Sequence, residues 1–363
     1  MGTMSNIDDL LTPAVLIDRG RLEQNIRLMQ AVCDSHGVEL RPHGKTHKMI
    51  AVARLQLAAG ARGLTCAKLG EAEALLPSGV RSVFIAHSLV DLRQVPRVAA
   101  LADQLLDLRV AGTSEDQVDA LATLARRAGR HLCVMMAVDT GLGREGVRDC
   151  ESARILAAKI KNSSHLELSG FYTHEGHLYS APPAEQAART CSVIEKLIEI
   201  RDAISHSLPL WPGCSVSARL AAGSGRVQAV RPGAYVFGDL YLSNICGVMQ
   251  PDNVALHVLA TVVDKPEPGL ALIDAGSKTF SSDRTLEGTF ALAADGRDLA
   301  VVRVNEEHGY VRGSAVEALA GGERVRFTPA HVCPVVNLTD EVIVTENDRV
   351  LETWQVEARG RTQ

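Results

Sequence analysis

Lys45 stands in the stretch LRPHGKTHKM, residues 40 to 49, with Arg41, His43, His47 and Lys48 close by in sequence. An amine among cationic nitrogens loses affinity for its proton, and a neutral lysine amine is the nucleophile of Schiff-base chemistry. The same residues would equally suit a solvated basic connection between a strand and a helix. Farther along, FYTHEGHLY gathers Tyr172, His174, His177 and Tyr179. That run offers aromatic surface and imidazoles for proton transfer, although any one of them could be a satisfied core residue. A third pattern is HVCPVVNLTD. Read as an extended strand, it turns His331 and Cys333 to one side and Val332 to the other. Imidazole with thiolate suits a zinc-type ion. Two ligands alone do not close a site, so plain packing stays open as a reading of the pair.

Elements must bring such groups together. From residue 38 onward eight short β-rich runs alternate with helical stretches: VELRPHGK, GLTCAK, SVFIAH, LRVAG, CVMMAVD, LELSGFYTH, PLWPGCS and QAVRPGAYV. The intervening segments, such as EDQVDALATLARRAG, repeat apolar residues at three- and four-residue spacing, as helices covering a sheet do. Eight strand-helix units predict a (β/α)8 TIM-type barrel, whose active site lies at the C-terminal ends of the strands. Lys45 falls where the first strand ends. An open doubly wound sheet is the competitor, but no GxGxxG follows an early strand. After about residue 250 the texture becomes consecutive strands separated by turns such as ADGRD and ENDR, which predicts a C-terminal all-β domain. The expected division is a barrel over 20–250 and a β domain over 251–363, to which residues 1–19, with the run TPAVLID, add a strand.

Composition narrows the function classes. The chain has 363 residues, 46% hydrophobic, 22% charged, with a formal charge of -5, which suits a globular protein with a large core. Mild acidity and the lack of any basic run argue against nucleic acid or an anionic membrane as partner. No charged leader precedes a long apolar stretch and no run of eighteen apolar residues occurs, so a cytoplasmic location is expected. Eight cysteines scattered without paired spacing suit reduced thiols.

Taken in order, TPAVLIDRGRLEQNI, LRPHGKTHK, DTGLGREGV and VRPGAYVFGD resemble the pyridoxal-phosphate enzymes of the alanine-racemase-like fold, and among them the D-threonine aldolase and D-serine dehydratase family. The resemblance covers essentially the whole chain. It implies that Lys45 forms the covalent link to pyridoxal 5'-phosphate and that Arg144 hydrogen-bonds the cofactor's phenolic oxygen. It implies a phosphate cradle from PGCSVS and RPGAY, with Gly213, Ser215, Ser217, Gly233 and Tyr235. Tyr172 would contact the cofactor or substrate, and His177 would serve as the acid/base histidine, though His174 competes for that role. His331 and Cys333 would bind a divalent metal, Zn2+ or Mn2+ or possibly Mg2+, in a site left open for substrate.

The activity so implied is a PLP- and metal-dependent lyase acting on β-hydroxy D-amino acids, by retro-aldol cleavage to glycine and an aldehyde, in a homodimer. Cys333 departs from the aldolases' usual Asp and resembles the zinc-dependent D-serine dehydratases, so dehydration is the alternative. A metal-free amino-acid racemase and a non-catalytic PLP carrier are more remote. The carriers stop after the barrel, which the last hundred or so residues count against.

Overall fold

The computed structural model describes residues 6–363, and the first five residues of the expected N-terminal strand segment lie outside them. By packing, the chain divides into two compact units. One comprises Arg27–Lys45, Ile50–Gly233 and Arg361–Gln363; the other comprises the residues up to Ile26, Thr46–Met49 and Ala234–Gly360. The sequence texture marks divisions near 19 and 250; packing marks them at these five crossings.

The first unit contains all eight runs as parallel strands. Six of them, Leu64–Cys66, Ser82–Ile85, Asp107–Gly112, Leu132–Ala137, Leu166–Tyr172 and Leu210–Trp211, form one sheet in sequential order. Glu39–Leu40 and Ala229–Val230 pair with each other. Thr65 donates its N–H to the Pro42 carbonyl at 2.8 Å, and Gln228 donates to the Leu210 carbonyl at 3.1 Å. These bonds link the two sheets at both edges, so the eight strands make the expected TIM-type barrel. Its interior is apolar and aromatic: Phe84, Met135, Tyr172 and Trp211 form one buried cluster.

Local chemistry explains the covering helices. In Glu115–Ala128, Ser114 caps the first turn by accepting the Gln117 N–H at 3.3 Å. Glu115 and Asp116 face the positive end of the helix dipole, and Arg126 and Arg127 the negative end, each a favourable placement. Gly129, at φ +63°, ends the helix in the left-handed region that a side chain would disfavour.

The second unit is built on a nine-stranded sheet, with Ala14–Asp18 between Leu256–Glu267 and Glu341–Glu346. TPAVLID therefore does supply a strand, antiparallel to the first neighbour and parallel to the second. One expectation fails. HVCPVVNLTD is not a strand: Arg324–Pro329 ends the extended run, and Val332–Leu338 is a helix with His331 as its N-cap. Pro334 sits in the first helical turn, where a missing N–H costs no intrahelical bond. Among the described residues no helix is long and apolar enough to cross a membrane, and no cysteine takes part in a disulfide.

Candidate active site

Lys45 follows the first barrel strand, and its N–H lies 3.4 Å from His43 Nδ1. The side chain lines a cavity of about 370 Å³ together with His43, Lys68, His87, Arg144, Tyr172, His174 and Arg231. Arg41 is not there. It is buried at the other ends of the strands, bonded to Glu39 and Ser82, and His47 and Lys48 belong to the second unit. The basic neighbours expected for Lys45 thus reduce to His43, and Lys68, Arg144 and Arg231 take the place of the others. A strand advances about 3.3 Å per residue, so the four positions from Arg41 to Lys45 carry the chain across the barrel.

Tyr172 ends its strand with the ring edge-on to Phe84, centroids 4.8 Å apart, and its hydroxyl donates to the Ala86 carbonyl at 3.2 Å. Burial, and then the Glu145 carboxylate, push the phenol well above its ordinary pKa. It is a neutral wall, unsuited to proton transfer. Of the two histidines beyond it, His174 lines the cavity and His177 does not; His177 packs beside Gly141, where a Cβ would come within 3.3 Å of the imidazole. The ring of His174 is fixed by a 2.6 Å contact between Nδ1 and the Gly213 carbonyl. That contact assigns the proton to Nδ1 and leaves Nε2 a lone pair. Burial, then the Lys45 charge, bring its pKa down to about 3, so the imidazole is neutral.

The loops expected to cradle a phosphate come together. Gly233 donates its N–H to Ser215 Oγ at 3.2 Å. Gly213 passes directly over Arg231, and a Cβ there would stand 2.5 Å from the guanidinium. Ser217 is otherwise engaged, giving its hydroxyl hydrogen to Glu175 at 2.6 Å. Glu175 also accepts the Gly213 N–H at 3.1 Å, and burial raises its pKa. Tyr235 lies buried in the 3-10 turn Ala234–Val236 of the second unit. A lysine amine, a guanidinium, a flat aromatic wall and a glycine turn that excludes side chains fit pyridoxal phosphate. Arg144 lines this cavity half-exposed, with Glu145 3.8 Å away; the ion pair does not withdraw it.

In the second unit the helix N-terminus keeps His331 and Cys333 together. Burial pulls the His331 pKa down, but the Cys333 thiolate, Asp239 and Asp283 outweigh it and raise it to about 10. Asp283 Oδ2 contacts Nδ1 at 2.7 Å, which fixes the ring, and the imidazole also hydrogen-bonds Cys333; a metal would take the place of the proton the two share. A carboxylate behind a ligating histidine is the usual support of a metal site. Cys333 Sγ lies 3.2 Å from Thr46 Oγ1. Asp239 accepts the Val332 and Leu242 N–H groups at 3.1 and 3.0 Å and so anchors the turn. Among the described residues no three His, Cys, Asp or Glu side chains converge to hold a metal ion. The donor set fits a divalent metal bound by two protein ligands with its other positions open. Asp283 and Asp239 escaped the sequence reading, although VFGD was one of the matching segments.

Comparisons with known proteins give the family of the chain. Residues 17–241 match the alanine racemase N-terminal domain family, and 255–345 match the serine dehydratase domain family. D-threonine aldolase of an Arthrobacter species is 31% identical over 96% of this chain and 93% of its own. D-threo-3-hydroxyaspartate dehydratase of a Delftia species is 32% identical over 95% and 96%. A cysteine-to-alanine mutant of a D-threo-3-hydroxyaspartate dehydratase has been solved in the metal-free form (TM-score 0.86, 29% identity, covering 96% of this chain and 98% of that one). The crystal structure of D-threonine aldolase from Filomicrobium marinum superposes with a TM-score of 0.90 at 27% identity over the whole of both chains. The family is pyridoxal-phosphate-dependent, and its metal dependence is general. With both domains matched and the cavity built around Lys45, the chain belongs to the alanine-racemase-fold lyases that include the D-threonine aldolases and D-serine dehydratases.

Proposed function

We propose that this protein cleaves β-hydroxy D-amino acids to glycine and an aldehyde, as a cytoplasmic homodimer using pyridoxal phosphate and Zn2+ or Mn2+. The observation that carries the reading is the supported pair His331 and Cys333, because a racemase or a carrier has no use for a ligand histidine held by its own carboxylate. Lys45 would hold the cofactor covalently, Arg144 its phenolic oxygen, and Ser215 with the Gly233 turn its phosphate. When bound, the cofactor supplies an electron sink for Cα and the metal a Lewis acid for the β-hydroxyl. Tyr172 and the Gly213 turn restrict where a planar ring can lie. His174, neutral with its Nδ1 held by the Gly213 carbonyl, and the Glu145 carboxylate are groups of the Lys45 cavity able to accept a proton. Cys333 supports the second reading, loss of the β-hydroxyl to give an oxo acid and ammonia, since a thiolate is a soft ligand suited to zinc.

Incubation with D-threonine and D-serine, with Zn2+ or Mn2+ added, separates the readings by product. Glycine with acetaldehyde is expected. An oxo acid points to the dehydratase, and the opposite enantiomer to a racemase. Chelation should abolish turnover while the absorbance of the lysine-bound cofactor persists, since different residues hold the two groups. Full activity in the chelated protein overturns the metal-dependent reading.

A further inference from the structure

A second cavity, about 620 Å³, opens at the N-terminal ends of the barrel strands, the opposite side from Lys45. Its floor is Trp211, 2% exposed. The Arg41 and Arg109 guanidiniums lie 4.3 and 4.7 Å from that ring's centroid. Arg41 is 3% exposed. It spends Nε on Glu39 and Nη1 on Ser82, both at 2.8 Å, while its Nη2 stays 3.9 Å from Asp107. Arg109 shares that same Asp107, at 3.1 Å. Arg62 and Arg81 complete the wall, and both are exposed.

Four guanidiniums therefore share two carboxylates, Glu39 and Asp107, and the lining carries an excess of two positive charges. Glu39 and Asp107 match the more buried Arg41 and Arg109, so the excess charge lies on the exposed Arg62 and Arg81, where an incoming anion can reach it. A concave wall of one sign concentrates counter-ions, and the guanidinium fork matches carboxylate and phosphate oxygens. We infer that this cavity binds a small dianion, a dicarboxylate or a phosphate, held by Arg41, Arg62, Arg81 and Arg109. The site shares no lining residue with the Lys45 cavity. Trp211 does reach towards it, through a T-shaped contact with Phe84 at 6.0 Å and through its carbonyl, which accepts Arg231 Nε at 3.1 Å.

The test uses the cofactor-loaded enzyme, so that the cofactor's own phosphate place is filled. Inorganic phosphate and malonate are titrated separately at ionic strength held constant with NaCl, following tryptophan emission and Tm. A saturable response to a dianion, at least about tenfold tighter than to acetate, is expected from paired charge-assisted hydrogen bonds. The tighter of the two probes identifies the ligand as phosphate-like or dicarboxylate-like. The double variant Arg62→Ala, Arg81→Ala, changed at exposed positions, should lose about tenfold or more in affinity with turnover unchanged. Trp211→Phe should keep the Tm response and lose the emission change. Equal responses to phosphate, malonate and acetate, or unaltered affinity in the double variant, would overturn the proposal.

Discussion

Lys45 and Lys68 are the two amines that line the candidate cofactor cavity, whereas Lys48 gives its Nζ to the Ala358 carbonyl at 3.3 Å within the second unit. Lys45→Ala should therefore abolish the visible absorbance of the bound cofactor; a borohydride-reducible adduct surviving in that variant would make Lys68 the anchor. Asp283 acts at one remove. Asp283→Ala removes the partner of His331 Nδ1 and should weaken metal affinity by roughly 10- to 100-fold, read by chelator competition, with cofactor absorbance unchanged. His257 makes the clearest pH prediction. Burial, then repulsion from Arg21 and Arg326, bring its pKa down to about 3. The unfolded chain takes up a proton below about pH 6.5 that the folded chain refuses, so stability falls as pH falls through that window. Between pH 7 and 5 this histidine should account for a loss of about 2 kcal/mol. His257→Gln should remove that part of the slope in urea unfolding, and an identical slope in parent and variant would show that His257 does not titrate this way.

The strands and the loops beyond them tell how far the sequence could be read. All eight barrel runs were legible because parallel strands buried on both faces are short, continuous and apolar, and the helices between them keep their own period. The helix at Val332 was not, since seven residues behind an extended histidine carry too little periodicity to override an HxC pattern. The pair still converges, because an N-cap and the second helical residue are neighbours in space. Asp283 was invisible for a different reason: it is 48 residues from His331, and only folding makes them partners. The same holds for Glu175, flanked by the two histidines that drew attention. It binds the loops after two strands by accepting from Ser217 and Gly213, with Arg231 as a favourable charge nearby. Glu175→Ala leaves the buried Ser217 hydroxyl and Gly213 N–H without their acceptor, and a loss of roughly 2–4 kcal/mol is expected in urea denaturation. Glu175→Gln, which keeps an acceptor for one bond, should cost less.

At the scale of the whole chain, the nine residues from Arg41 to Met49 serve three places. Arg41 lines the cavity at the N-terminal ends of the strands, His43 and Lys45 line the cavity at the other end, and Thr46–Met49 pack with the second unit. Within that unit Thr46 meets Cys333 at 3.2 Å. A chimera joined at 233/234, carrying a relative's C-terminal half on this barrel, would therefore inherit the wrong short segment along with the right large one. Its Cys333 counterpart would face a native Thr46 instead of the residue with which it was selected. Recombination between members should succeed when residues 46–49 travel with the C-terminal half, and a one-residue deletion inside 41–49 should damage all three places together.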